Sequence, residues 1–217
     1  MPRARPRHQY RRRTQDVWLA VAGLIVFLLA AVVAHNGRVG PTERAVFDAV
    51  NGLPDGLTGP MVALQYLGTL FIGPLVVVAA LVLRQWRLAG AAAAVTVLKL
   101  AVERGVKLVV HRQRPGMTVP DAILRGDVPP KGWSFVSGHV ILTGALAAVI
   151  TPYLAGRWKV LPWIVVAAVA VARVYLGAHN PVDVVGGLGV GLVIGGVLNY
   201  ALGVPADAEQ EAAPAAA

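Results

Sequence analysis

The sequence predicts an all-α polytopic membrane protein, with six transmembrane helices in one bundle. Three observations carry this. Of 217 residues, 56% are hydrophobic and 14% charged, and the mean hydropathy is +0.63, a composition rare in soluble domains of this length. Apolar stretches recur, each near the ~20 residues that cross a hydrocarbon core of about 30 Å. Short basic loops alternate with them in the manner of the positive-inside rule.

The expected spans are Val17–Ala34, Pro60–Leu83, Leu88–Val110, Ser137–Ala155, Val160–Leu176 and Val182–Leu202. Between the first two, Val46, Phe47, Val50 and Leu53 recur at helical spacing, which predicts a short interfacial helix over 43–53. Residues 1–16 form a basic tail with Arg3, Arg5, Arg7, Arg11, Arg12 and Arg13. Beside an apolar span, such a cluster anchors the N-terminus in the cytoplasm against anionic lipid, so no nucleic-acid partner is expected. The run from Val17 to Ala34 exceeds the about 7–15 apolar residues of a signal peptide and reads as an uncleaved helix. Residues 17–203 form the membrane domain, and 204–217 a polar, disordered cytoplasmic tail. The expected location is the inner (plasma) membrane, with both termini cytoplasmic. There is no cysteine, which excludes disulfides, thiolate metal sites and cysteine nucleophiles.

With that orientation, Arg84, Arg87, Arg157 and Lys159 fall on the inner side. The outer side should then be poor in Lys and Arg, yet Arg38, Arg44, Lys107, Arg112, Arg114, Arg125, Lys131 and Arg173 lie there. An anion is the simplest demand that explains them.

Three stretches supply an anion site. In KLVVHRQRP, residues 107–115, Lys107 ends the third span and Arg114 follows in the loop. Arg grips phosphate with a planar fork, and Lys adds a compact charge. In WSFVSGHV, residues 133–140, Ser137 stands where a helix N-cap is expected, Gly138 admits an anion close to the backbone, and His139 follows in the first turn. In RVYLGAHNPVD, residues 173–183, Arg173 ends the fifth span, and Asn180-Pro181 reads as the N-cap and first position of the sixth. His179 precedes that helix and Asp183 lies in its first turn. A carboxylate there can hold one ring nitrogen and leave the other free to attack. Cations, a helix N-terminus and two histidines are the equipment for phosphoryl transfer through a phosphohistidine.

Taken together, K-x6-R-P, S-G-H and R-x5-H-x3-D, in this order at span ends, resemble the type 2 phosphatidic acid phosphatase (PAP2) superfamily over about residues 60–202. The resemblance implies that Lys107, Arg114 and Arg173, with Ser137 and the Gly138 amide, bind the phosphoryl group. It implies His179 as nucleophile, oriented by Asp183, and His139 as general acid and then base. It implies no metal and no other cofactor. Val136 stands where the family usually has Pro, and Ala172 where a Ser often precedes the Arg.

The expected function is hydrolysis of a lipid phosphomonoester or pyrophosphate at the outer membrane face. Candidate substrates by resemblance are polyprenyl (for example undecaprenyl) pyrophosphate, phosphatidylglycerophosphate, phosphatidate and diacylglycerol pyrophosphate. The alternatives are a lipid phosphotransferase using the same phosphohistidine, and a non-enzymatic carrier of anionic lipid. Lys99, Glu103 and Lys107 share one helix face and are expected to form a ladder of ion pairs. Arg104, Arg112, Arg125 and Lys131 lack motif support. Gly186, Gly187, Gly189, Gly191, Gly195 and Gly196 predict close helix packing, with a homodimer face as the alternative.

Overall fold

The computed structural model describes residues 10–206. In chain order its helices are α1 (Thr14–Ala34), α2 (Pro41–Asn51), α3 (Thr58–Tyr66), α4 (Ile72–Val82), α5 (Trp86–Val109), α6 (Pro115–Thr118), α7 (Gly138–Ile150), α8 (Leu161–Tyr175) and α9 (Pro181–Leu202). Among the described residues, three segments are long and apolar enough to cross a membrane: Thr14–Ala34, Gly156–Tyr175 and Pro181–Leu202. The other predicted spans differ from that standard for physical reasons. Helix α5 has the length but carries Arg87, Lys99, Glu103, Arg104 and Lys107. Helix α7 is short, and a 3-10 turn at Thr151–Tyr153 extends it.

The second predicted span is two helices rather than one. Leu67, Gly68 and Thr69 donate their N–H groups three residues back, so the chain leaves α3 through successive tight turns. Pro74 has no N–H to continue a helical ladder from residue 70. The break brings Gly68 against α7, where a Cβ would lie 2.8 Å from His139 Cβ. Beyond it, Gly73 packs on Thr96 of α5.

Helix α9 is the central element, packed between α1 and α7. Its glycines set both contacts. A Cβ on Gly189 would lie 2.7 Å from Gly23 O of α1, and one on Gly191 would lie 2.9 Å from Ala145 N of α7. Gly187 and Gly195 also face α7 or the residue before it, Gly196 faces α1, and Gly186 lies under the Phe135 ring. The glycine stripe is used inside the bundle, as close packing requires. Residues 140–149 of α7 are all buried. By contrast α1 turns Leu29 and Val32 outward, 64% and 75% exposed, as a hydrocarbon-facing surface would.

One end of the bundle is closed by the residues just before α1 and just after α9. Strand β1 (Tyr10–Arg11) pairs antiparallel with β2 (Val204–Pro205), so residues 204–205 of the predicted disordered tail are ordered as a strand. Arg87 donates to Leu202 O at 2.6 Å and lies over the Tyr10 ring. The remainder of the predicted tails, residues 1–9 and 207–217, falls outside the described residues. The opposite end collects α2, the loop after α5, and the starts of α7 and α9. The predicted interfacial helix is α2, shifted slightly to Pro41–Asn51 and begun by Pro41.

Candidate active site

All the predicted site residues lie at that second end, and local sequence explains how each arrives. Helix α5 ends with Lys107 in its last turn. The predicted ladder is present: Glu103 accepts from Lys99 and from Lys107, each at 2.6 Å. The chain then pairs with itself. Arg114 N donates to Gly132 O at 3.1 Å, and Ser134 N to Arg112 O at 2.8 Å, which closes the loop and delivers it to α7.

Ser137 occupies the N-cap of α7, but its hydroxyl makes no cap bond, unlike the expected role. Its N–H is taken by Asp183 O at 3.0 Å, which ties the start of α7 to α9. The hydroxyl is buried and has no hydrogen-bond partner among the described residues. The space over Gly138 holds a carboxylate of the protein's own: a Cβ there would lie 2.2 Å from Glu103 Oε2. Gly138 is thus required for the approach of Glu103, in addition to any anion. Val136, at the first departure from the family pattern, is fully buried and packs near Gly186. Ala172, at the second, is also fully buried.

Arg173, in the last turn of α8, is 7% exposed and donates to Gln65 Oε1 of α3. Its Nε has no hydrogen-bond partner among the described residues. The carbonyl of Arg173 accepts the N–H groups of Ala178 and His179, so the chain folds back over the helix end and sets the histidine beside the arginine. Arg114 donates to Ala178 O at 3.0 Å from the other side. Asn180 and Pro181 are the N-cap and first residue of α9, as predicted.

His179 is 2% exposed, and Arg173, Arg114 and Lys107 surround it electrostatically, with Glu103 as the opposing charge. Burial first, and these cations next, push its pKa well below the usual histidine value. The ring is therefore neutral at neutral pH, the state a nucleophile needs. His139, in the first turn of α7, is within electrostatic reach of both Arg173 and His179.

The His179–Asp183 pairing differs from expectation. Nδ1 of His179 faces Asp183 Oδ2 at 3.7 Å, beyond hydrogen-bond length, and has no hydrogen-bond partner among the described residues. The carboxylate is engaged elsewhere. Its Oδ2 accepts the Asn180 N–H at 2.8 Å, and its Oδ1 accepts from Arg112 at 3.1 Å. Asp183 closes the first turn of α9 while facing the ring.

Arg112 is the main residue that sequence reasoning missed. It is fully buried between Asp183 and Glu43 of α2, donating to Glu43 Oε2 at 2.5 Å and Oε1 at 3.0 Å. Burial opposes its charge, but Glu43 and Asp183 outweigh it and raise its pKa above the usual arginine value. Glu43 also accepts the Val182 N–H of α9 at 2.9 Å. The sole sequence signal was an unexplained arginine inside KLVVHRQRP. Arg125, likewise without a motif, is structural: it binds Asp55 and the carbonyls of Asn51, Leu53 and Tyr175.

The fold and site together define a helical membrane protein with a cluster of cations and two histidines at one end of its bundle. The family model of the PAP2 superfamily matches residues 84–204, and the chain belongs to that superfamily. The chain is 35% identical over 118 residues to the decaprenylphosphoryl-5-phosphoribose phosphatases of two Mycobacterium tuberculosis strains, an alignment covering 54% of this chain. The match spans 60% of the length of those relatives. Two crystal structures share the fold. One is a transmembrane PAP2-type phosphatidylglycerolphosphate phosphatase from Bacillus subtilis, with TM-score 0.70 and 20% identity over 91% of this chain and 98% of that one. The other is LpxE of Aquifex aeolicus, with TM-score 0.61 and 21% identity over 71% of this chain and 92% of that one.

Proposed function

We propose that the protein is a lipid phosphatase of the outer membrane face that works through a phosphohistidine. The observation that carries this reading is the neutral, buried His179 ringed by Lys107, Arg114 and Arg173, with His139 nearby. Family membership and the curated phosphatase relatives support it.

In the first half-reaction a ring nitrogen of His179 attacks phosphorus. The bond from phosphorus to the lipid-side oxygen breaks, and His139 gives that oxygen a proton. In the second, His139 takes a proton from water, whose oxygen attacks the phosphohistidine. The bond to His179 breaks and inorganic phosphate leaves. Lys107, Arg114, Arg173, the Ser137 hydroxyl and the Gly138 amide hold the phosphoryl oxygens as charge accumulates on them. Asp183 faces the ring and favours one orientation of it.

The bundle crosses the membrane six times in this reading, through α1, α3 with α4, α5, α7, α8 and α9. The termini are cytoplasmic and the site extracytoplasmic. Substrates are lipids whose phosphate projects from the bilayer while the tail stays in it. No nucleic acid takes part.

The test is phosphate release by detergent-purified protein, with a chelator present, from a panel of lipid phosphates and diphosphates. The expected result is release that His179→Ala abolishes. Release only when a second lipid alcohol is added would instead mark a phosphotransferase. Lipid binding with no release under either condition would mark a carrier.

A further inference from the structure

Beside the site, α5 and the loop before α7 enclose a cleft of about 450 Å³ lined by Leu100, Glu103, Arg104, Lys107, Leu108 and Trp133. Glu103 and Lys107 belong to the site already described. Arg104 does not. It is exposed on α5 and makes no hydrogen bond or ion pair among the described residues. It lies in a helix that enters the bilayer in the six-crossing reading, where an unpaired guanidinium is costly and marks a functional position.

Its place in the helix is informative. Arg104 precedes Lys107 by three residues, so its Cα lies about 4.5 Å deeper along the helix axis, at ~1.5 Å per residue. Leu100 lies a further turn toward the bilayer middle on the same side. From the site inward the cleft thus offers a cation at the cleaved phosphate, a second cation, then an apolar wall, with Trp133 at the rim. That order matches a lipid whose tail is followed by one phosphate and then by a second, terminal one.

We propose that Arg104 binds a second, tail-side phosphate, making the preferred substrates lipids with two phosphates in series. This rests on the lipid-phosphatase reading above. It favours diphosphates and bridged bisphosphates over lipids with a single phosphate. Arg104 is a specificity-determining residue here, because it takes no part in breaking the bond.

The experiment compares wild type, Arg104→Ala and Arg104→Lys on two pairs of lipids with matched tails. One pair is farnesyl diphosphate and farnesyl monophosphate, the other phosphatidylglycerophosphate and phosphatidate. The expected result is that Arg104→Ala lowers kcat/KM about tenfold or more for the two-phosphate member of at least one pair, as loss of a charge-assisted contact does. The single-phosphate members stay within about twofold, and Arg104→Lys recovers part of the loss. Loss on the farnesyl pair alone assigns the contact to a diphosphate; loss on the glycerolipid pair alone assigns it to a bridged bisphosphate. Equal effects on all four lipids, or none, overturn the proposal and leave Arg104 a snorkelling anchor. If wild type releases phosphate from no lipid, the phosphatase reading fails. Thermal-shift titrations with the same pairs then decide: a two-phosphate preference lost in Arg104→Ala supports the contact, and equal titrations in both proteins overturn it.

Discussion

Arg112 Nη1 lies 3.1 Å from Asp183 Oδ1, and the same nitrogen lies 3.0 Å from Glu43 Oε1. One guanidinium therefore joins helix α2, the loop after α5 and the start of α9, where its partner Asp183 is the carboxylate that faces His179. Replacing Arg112 by Ala leaves two buried carboxylates without their cation, a change that costs about 3–5 kcal/mol. Arg112→Ala is expected to unfold at markedly lower temperature in detergent. Arg112→Lys is expected to keep most stability but, having no planar fork, to lower kcat more than it changes KM. Equal stability and activity in Arg112→Ala would refute this role.

His139 is assigned the leaving-group proton. His139→Ala should lower kcat by about 10²–10⁴, the usual worth of a positioned acid. The loss in kcat/KM, which reports the first half-reaction alone, should shrink sharply with p-nitrophenyl phosphate, whose leaving group departs without a proton, while the loss in kcat persists because His139 also activates water. Steady-state kcat/KM on both substrates checks this, and an equal loss in kcat/KM on both would remove the leaving-group role of His139.

The depressed pKa of His179 has a definite pH consequence. Unfolded, the ring titrates near the ordinary value of about 6.5. Below that pH the unfolded chain takes up a proton that the folded protein does not, so stability falls as pH drops. Above it both forms are neutral and the group contributes no slope. Melting temperatures at pH 7.5 and 5.0 should show a larger acid-side loss for wild type than for His179→Gln. Parallel losses would contradict the neutral, buried ring.

Gly138 and Glu103 should behave as a coupled pair. A Cβ at Gly138 would lie 2.2 Å from Glu103 Oε2, so Gly138→Ala must displace the carboxylate that braces Lys107. Gly138→Ala alone is expected to be destabilised by about 1–3 kcal/mol. Adding Glu103→Ala should recover part of that, giving a double-mutant coupling of about 0.5–3 kcal/mol. Simple additivity in thermal or denaturant unfolding would remove the argument.

Features set by neighbouring residues were legible in the sequence. Asn180-Pro181 marks the start of α9, and Lys99, Glu103 and Lys107 form their ladder, because both depend on spacing within a turn or two of helix. The break between α3 and α4 was harder to see. Gly68 and Pro74 are visible, but the apolar residues continue through them, and hydropathy records composition rather than hydrogen bonding. The Arg112–Glu43 pair was hidden outright, because its members are 69 residues apart and nothing in a single chain says they meet. Ser137 shows a third limit: its position at the cap followed from sequence, while its hydroxyl points away from the cap bond.

The central claim is a phosphoryl group carried on His179. It is tested most directly by quenching the protein during turnover of a lipid labelled in its terminal phosphate, then mapping the label. The account predicts a phosphoryl group that is stable in base, lost in acid, located on His179 and absent from His179→Ala. Sustained phosphate release with no such label on rapid quench, or a label on any other residue, would contradict it.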